Sequence, residues 1–257
     1  PDRGYGPWEA LNPYQIWWMV VLIAAISFSG YFAMRIAGTS KGAILTGLFA
    51  GLASSTALTL HFSRLARRKP DMMQALAPGI LIACGTMYPR MLLVGSFISP
   101  QLFRLLLLPA GLMTLIIYGA ALWQGWNRRD TTVEEPAPID NPLELMAALR
   151  FGLLLAAIML LAEALKDALG EVGILLLAAA SGVADVDAIT LSLARMTTHD
   201  AGMLQLATAG IIIASAVNSS VKAVLAFTVG GMPLGRKVVA PLVLAAATGL
   251  LAVWLLL

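Results

Sequence analysis

The sequence predicts an all-α polytopic membrane protein of about eight transmembrane helices, arranged as two parallel four-helix repeats. Three observations carry this. Hydrophobic residues make up 59% of the 257 residues and charged residues only 12%, with a mean hydropathy of +0.84. The apolar residues fall in runs of about 20, long enough to cross a hydrocarbon core as helices. One half of the chain also matches the other at a constant offset.

Polar and Gly/Pro breaks divide the runs into spans at 14–36, 42–64, 72–97, 101–123, 143–165, 171–195, 201–229 and 237–257. The first carries Trp17-Trp18, an aromatic belt residue pair. The second ends in Arg64, Arg67, Arg68 and Lys69, a membrane-edge anchor facing anionic headgroups. In the third, Pro89 removes a backbone donor at mid-span, which is tolerated only against protein or water. After the fourth comes the only extended polar segment, which reads as a solvated linker. The fifth ends near Glu163 and Asp167, with Lys166 as an interfacial partner. The organisation is an N-terminal polar segment 1–12, a first repeat 13–123, a linker 124–142 and a second repeat 143–257. The chain starts at Pro1 without methionine and Pro1 to Pro13 has no signal-peptide pattern, so a fragment of a longer polypeptide is expected.

The repeat rests on Gly51-Leu52-Ala53-Ser54-Ser55-Thr56-Ala57-Leu58-Thr59-Leu60, which matches Gly182-Val183-Ala184-Asp185-Val186-Asp187-Ala188-Ile189-Thr190-Leu191 at an offset of 131. The register then holds: Arg64 falls on Arg195, Met72 on Met203, Gln74 on Gln205 and Gly79 on Gly210. Aliphatic identities arise by chance in apolar helices, but polar and glycine positions holding one register across a polar loop point to duplication. An even number of spans per half makes the repeats parallel, related by a pseudo-twofold axis along the membrane normal. Near span ends, eight Lys and Arg lie on the side of both termini and six on the other, which favours cytoplasmic termini. Basic residues at the ends of apolar runs anchor helices, so the net charge of +3 does not indicate nucleic-acid binding. The lone Cys84 excludes an internal disulfide.

Chemistry concentrates in the sixth span. An acid at bilayer depth costs roughly 2.5–3.5 kcal/mol on insertion scales, so Asp185 and Asp187 are functional-site candidates by default. With Asn218 and the hydroxyls of Ser54, Ser55 and Thr56 they form a candidate oxygen-only metal site, suited to Mg²⁺, another hard cation or a proton. Arg90, Lys222, Ser219, Ser220 and Tyr88 are supporting candidates at the same depth in the third and seventh spans. On an unbroken helix the two acids point about 200° apart, so both grip one ion only if the helix unwinds near Gly182. Otherwise one acid faces the site and the other an internal cation; the alternative is that Arg90 and Lys222 simply neutralise Asp185 and Asp187 in a static network.

The segment Gly51 to Leu60, the central Tyr88-Pro89-Arg90, the segment Ser181 to Ser192 and Asn218 to Lys222 together resemble the bacterial membrane domain of unknown function numbered 4010, which follows an MgtC/SapB-type domain. The likeness covers nearly the whole chain, although nothing here looks like the MgtC/SapB part. It implies a bacterial inner-membrane protein, an MgtC/SapB-type domain in the same polypeptide, and magnesium or other cation homeostasis. The residues leave two readings: a hard-cation or proton-coupled transporter with its site between the halves, or a non-transporting membrane module that regulates a partner. A homo-oligomer stays open. An intramembrane protease is disfavoured, because both central acids share one helix and no central histidine exists.

Overall fold

Long apolar segments in lipid must satisfy their backbone groups internally and so fold as helices. The computed structural model describes residues 2–37, 43–126 and 145–257. Among these described residues are α1 (Pro13–Ala37), α2 (Ala43–Arg68), α3 (Met73–Gly85), α4 (Met87–Ile98), α5 (Pro100–Gly125), α6 (Leu145–Ala184), α7 (Asp187–His199), α8 (Leu204–Gly230) and α9 (Met232–Leu256). The expected linker 124–142 lies outside the described residues from 127 onward.

Seven helical stretches among the described residues are long and apolar enough to cross a membrane. The sequence reading drew eight, and the difference lies in α6 and α7. α6 is 40 residues long, but Gly170 within it has φ 61° and ψ −142°, a positive-φ conformation open to glycine. A Cβ on Gly173 would collide with the Leu165 backbone, whereas residues eight apart on a straight helix are separated by about 12 Å. The chain therefore folds back at Gly170, and the arms 145–169 and 171–184 run side by side. The second arm continues through 185–186 into the 13-residue α7, so the expected sixth span is two half-helices in series.

The second span of the first half is interrupted at the corresponding place. Ser54, inside α2, is extended at φ −161° and ψ 99°, and it stands 131 residues before Asp185. Both breaks fall three residues beyond Gly51 and Gly182, and not at the glycines themselves. Those glycines are held in close packing. A Cβ on Gly51 would meet Ala83 Cα at 2.6 Å, and one on Gly182 would run into Ala214, 131 residues after Ala83. Likewise a Cβ on Gly79 would meet Phe62 Cε2 at 2.7 Å and one on Gly210 would meet Leu193 Cδ1 at 2.7 Å. Lipid is as apolar as leucine, so close backbone approach through small residues is what holds such helices together.

Pro89 sits in the first turn of α4, where no intrahelical donor is needed, and not in the middle of a continuous helix. The residue before that helix, Thr86, remains helical at φ −64° and ψ −20°. Across this junction Thr86 N donates to Ile82 O at 3.0 Å and Arg90 N to Thr86 O at 3.2 Å. On the rim, Trp17, Trp18, Trp123, Trp126 and Trp254 are all exposed. They lie at the start of α1 and the ends of α5 and α9, as interfacial aromatic rings do. The N-terminal segment is tied down by Arg195, which donates from Nη1 to Ala10 O at 2.7 Å and from Nε to Gln15 Oε1 at 2.6 Å.

Glycine packing gives a direct test. Gly182→Ala inserts a methyl into the Ala214 backbone and should lower stability by about 1–3 kcal/mol. Gly119→Ala in α5 meets nothing within 4 Å and should be neutral or raise stability by up to about 1 kcal/mol through helix propensity. Thermal unfolding of the two purified variants reads the difference.

Candidate functional site

A helix broken inside a membrane leaves carbonyls at the end of its first half and N–H groups at the start of its second. Each of the two breaks here resolves this in the same way. At the first, Ser54 Oγ accepts from Ala57 N at 3.3 Å; at the second, Asp185 Oδ1 accepts from Asp187 N at 3.2 Å. Ser54 and Asp185, equivalent by the offset, thus both cap the half-helix that follows them. On the carbonyl side, Arg90 Nη1 donates to Leu52 O at 2.6 Å and Asn218 Nδ2 donates to Gly182 O at 2.8 Å.

Around the two breaks lies a cavity of about 310 Å³, lined by the segments 53–56 and 184–187 together with Arg90, Asn218 and Lys222. α1 and the start of α6 supply its apolar wall, including Val20, Ile23, Ala147 and Phe151. The expected ligand residues Asp185, Asp187, Asn218, Ser54, Ser55 and Thr56 all line it, as do Arg90 and Lys222. Tyr88, Ser219 and Ser220 do not. Tyr88 Oη and Ser219 Oγ form a buried hydrogen bond of 2.7 Å to each other, a contact between two positions that the repeat makes equivalent. Ser220 is exposed and bonds back to Ala216 O of its own helix, so its expected supporting role is not met.

The four charged side chains are not equally engaged. Arg90 forms a two-pronged ion pair with Asp187, with Nε donating to Oδ1 at 3.3 Å and Nη2 to Oδ2. Lys222 is 1% exposed, yet its Nζ donates only to neutral acceptors, Ser55 Oγ at 2.7 Å and Met87 Sδ at 3.4 Å. Asp185 is half-buried and caps α7. Among the described residues, neither Lys222 nor Asp185 has an oppositely charged partner within 4.0 Å.

This arrangement does not fit a resident divalent cation. Asp187 is taken by Arg90, and among the described residues no group of three or more His, Cys, Asp or Glu is placed to hold a metal. A hard ion bound at the two acids would have to displace a guanidinium and tolerate an ammonium in the same wall. The static network expected as the alternative is half present: Arg90 neutralises Asp187, but Lys222 does not pair with Asp185. The sequence singles out residues that line the cavity but does not show that Ser54 and Asp185 act as caps. The signal was available in the Ser54/Asp185 equivalence, since both are residue types favoured at helix N-caps.

The long apolar helices define this molecule as an all-α polytopic membrane protein, with discontinuous helices meeting at a charged cavity. The family model described as "Domain of unknown function (DUF4010)" matches residues 21–230, and the chain belongs to that family. It is also similar to a protein of Aquifex aeolicus (strain VF5) described as "Uncharacterized protein", with 30% identity over 202 residues, 78% of this chain and 87% of the relative. No solved structure matches the chain.

The Arg90–Asp187 pair is nearly dry and its two partners come from different halves. Asp187→Asn or Arg90→Met alone should each lower stability by about 3–5 kcal/mol, because the remaining charge is left buried. The double variant should recover most of that loss, as read in a double-mutant cycle by denaturant unfolding in detergent.

Proposed function

We propose that this chain is the transport domain of a bacterial inner-membrane protein, which carries a small solute through the cavity between its two halves. The observation that carries this reading is the pair of helix breaks, Ser54 and Asp185, at one repeat position around a cavity with four charged side chains. Irregular backbone at membrane depth is costly unless it lines a cavity or is buried in protein. Discontinuous spans at the interface of structural repeats are the usual place for a transported solute. Reciprocal contacts support a twofold relation between parallel halves: α2 of the first half reaches α8 of the second through Ser55 and Lys222, while α7 of the second reaches α4 of the first through Asp187 and Arg90.

On this reading the termini lie in the cytoplasm, and an MgtC/SapB-type domain precedes the chain in the same polypeptide. The role is transport and not catalysis, since the most buried acid is held by a guanidinium and has no free base beside it. The second reading, a regulatory module without transport, is favoured by one observation, the static Arg90–Asp187 pair that ties the halves together.

Side-dependent labelling separates the two. The one native cysteine, Cys84, is fully buried and contributes little background. Ala184→Cys places a thiol on the cavity wall at an exposed position. In a transporter that alternates access, a membrane-impermeant thiol reagent should modify it in both right-side-out and inside-out vesicles. Reactivity from one face alone under every condition would leave the regulatory module as the better description.

A further inference from the structure

Resting on the transport reading, we propose that the solute is a zwitterion of amino-acid type, its carboxylate held by Lys222 and its amine by Asp185. The charge balance of the cavity leads there. Two cations and two anions line it, so the site has no net formal charge. Only one cation and one anion are paired, Arg90 with Asp187. The remaining ammonium and carboxylate both face the same 310 Å³ and form no ion pair with each other.

A buried, unpaired ammonium is expensive, and a ligand that brings it a carboxylate relieves that cost. An anion carrying one charge would do so for Lys222 while leaving Asp185 uncompensated and the loaded cavity net negative. A cation would have the converse effect. A zwitterion answers both charges and keeps the filled site neutral, which favours passage through a low-dielectric interior.

Further features agree with this occupant. The half-helix that starts at Ser55 opens on the cavity beside Lys222, since Ser55 Oγ is the acceptor for Nζ. Its positive dipole end therefore adds to the lysine in attracting a carboxylate. Much of the remaining wall is apolar, with Val20, Ile23, Ala24, Met87, Ala147 and Phe151, beside the polar Ser27, Thr56 and Asn218. Such a wall suits a short uncharged side chain. The cavity volume of about 310 Å³ is at the lower end for small-molecule pockets, in keeping with a solute of amino-acid size.

The test uses the purified chain in lipid nanodiscs, with glycine, L-alanine, L-serine and L-leucine as probes against potassium acetate, ethylammonium chloride and magnesium chloride at constant ionic strength. Ligand-dependent thermal shift and calorimetry read binding, and flux of radiolabelled L-alanine into liposomes reads transport separately. At least one amino acid should raise the unfolding midpoint at about 10 mM, while acetate and ethylammonium, each offering one charge, do not. Lys222→Met and Asp185→Asn should each weaken that binding at least about tenfold, equivalent to about 1.4 kcal/mol, while Gly119→Ala leaves it unchanged. Lys222→Gln serves as a second variant if Lys222→Met does not fold. Stabilisation by acetate as strong as by alanine, by ethylammonium alone, by Mg²⁺ alone, or by no probe at all overturns the zwitterion assignment and leaves the labelling test of transport standing. Amino-acid binding without flux keeps the site and removes the transport reading.

Discussion

Two interrupted helices at the centre of a bilayer leave backbone donors and acceptors that lipid cannot satisfy, and the interior of this protein is organised around meeting that demand. Arg90 shows how economically it is met. One guanidinium bonds the Leu52 carbonyl, freed by the break in α2, and the Asp187 carboxylate at the start of α7. A planar fork with several donors can do both, and a lysine's single ammonium on a flexible stem could not hold the two partners in fixed geometry. The break in one half is thereby tied to the break in the other.

Lys222 contrasts with Arg90 at the same depth. It sits on α8, fully buried, beside a hydroxyl and a thioether. Among the described residues, no carboxylate lies within ion-pair distance of it. A protein built for stability alone would gain by removing such a group or pairing it. On the proposed reading, such a group beside a cavity is held ready for an occupant, in line with the tendency of intramembrane charges to mark solute pathways.

The scaffold keeps this arrangement rigid through close approach of small residues. Gly51 against Ala83 and Gly182 against Ala214 bring each second span onto its own third span without intervening side chains. With no hydrophobic driving force between helices in lipid, such packing is the main source of cohesion. It also places the break, three residues further on, against the third span of the other half, where Arg90 and Lys222 reach it.

The helical class, the approximate spans and the register of the internal match were legible in the sequence, because lipid imposes a length and a hydropathy on every crossing segment and because Gly51/Gly182 and Ser54/Asp185 keep a fixed spacing. So was the membership of the cavity wall: Asp185, Asp187, Asn218, Ser54, Ser55, Thr56, Arg90 and Lys222 stood out as polar residues where lipid tolerates few. The roles of those residues were not legible. Which cation pairs with which acid depends on how the two halves cross, and sequence spacing carries no information about contacts between segments 97 residues apart, such as Arg90 and Asp187. The same holds for the fold-back at Gly170, for the position of the breaks beyond the glycines, and for Ser220, which lies exposed on α8. Composition fixed what is buried in the membrane; only the packing of the halves decided which charges are paired and which stand open to the cavity.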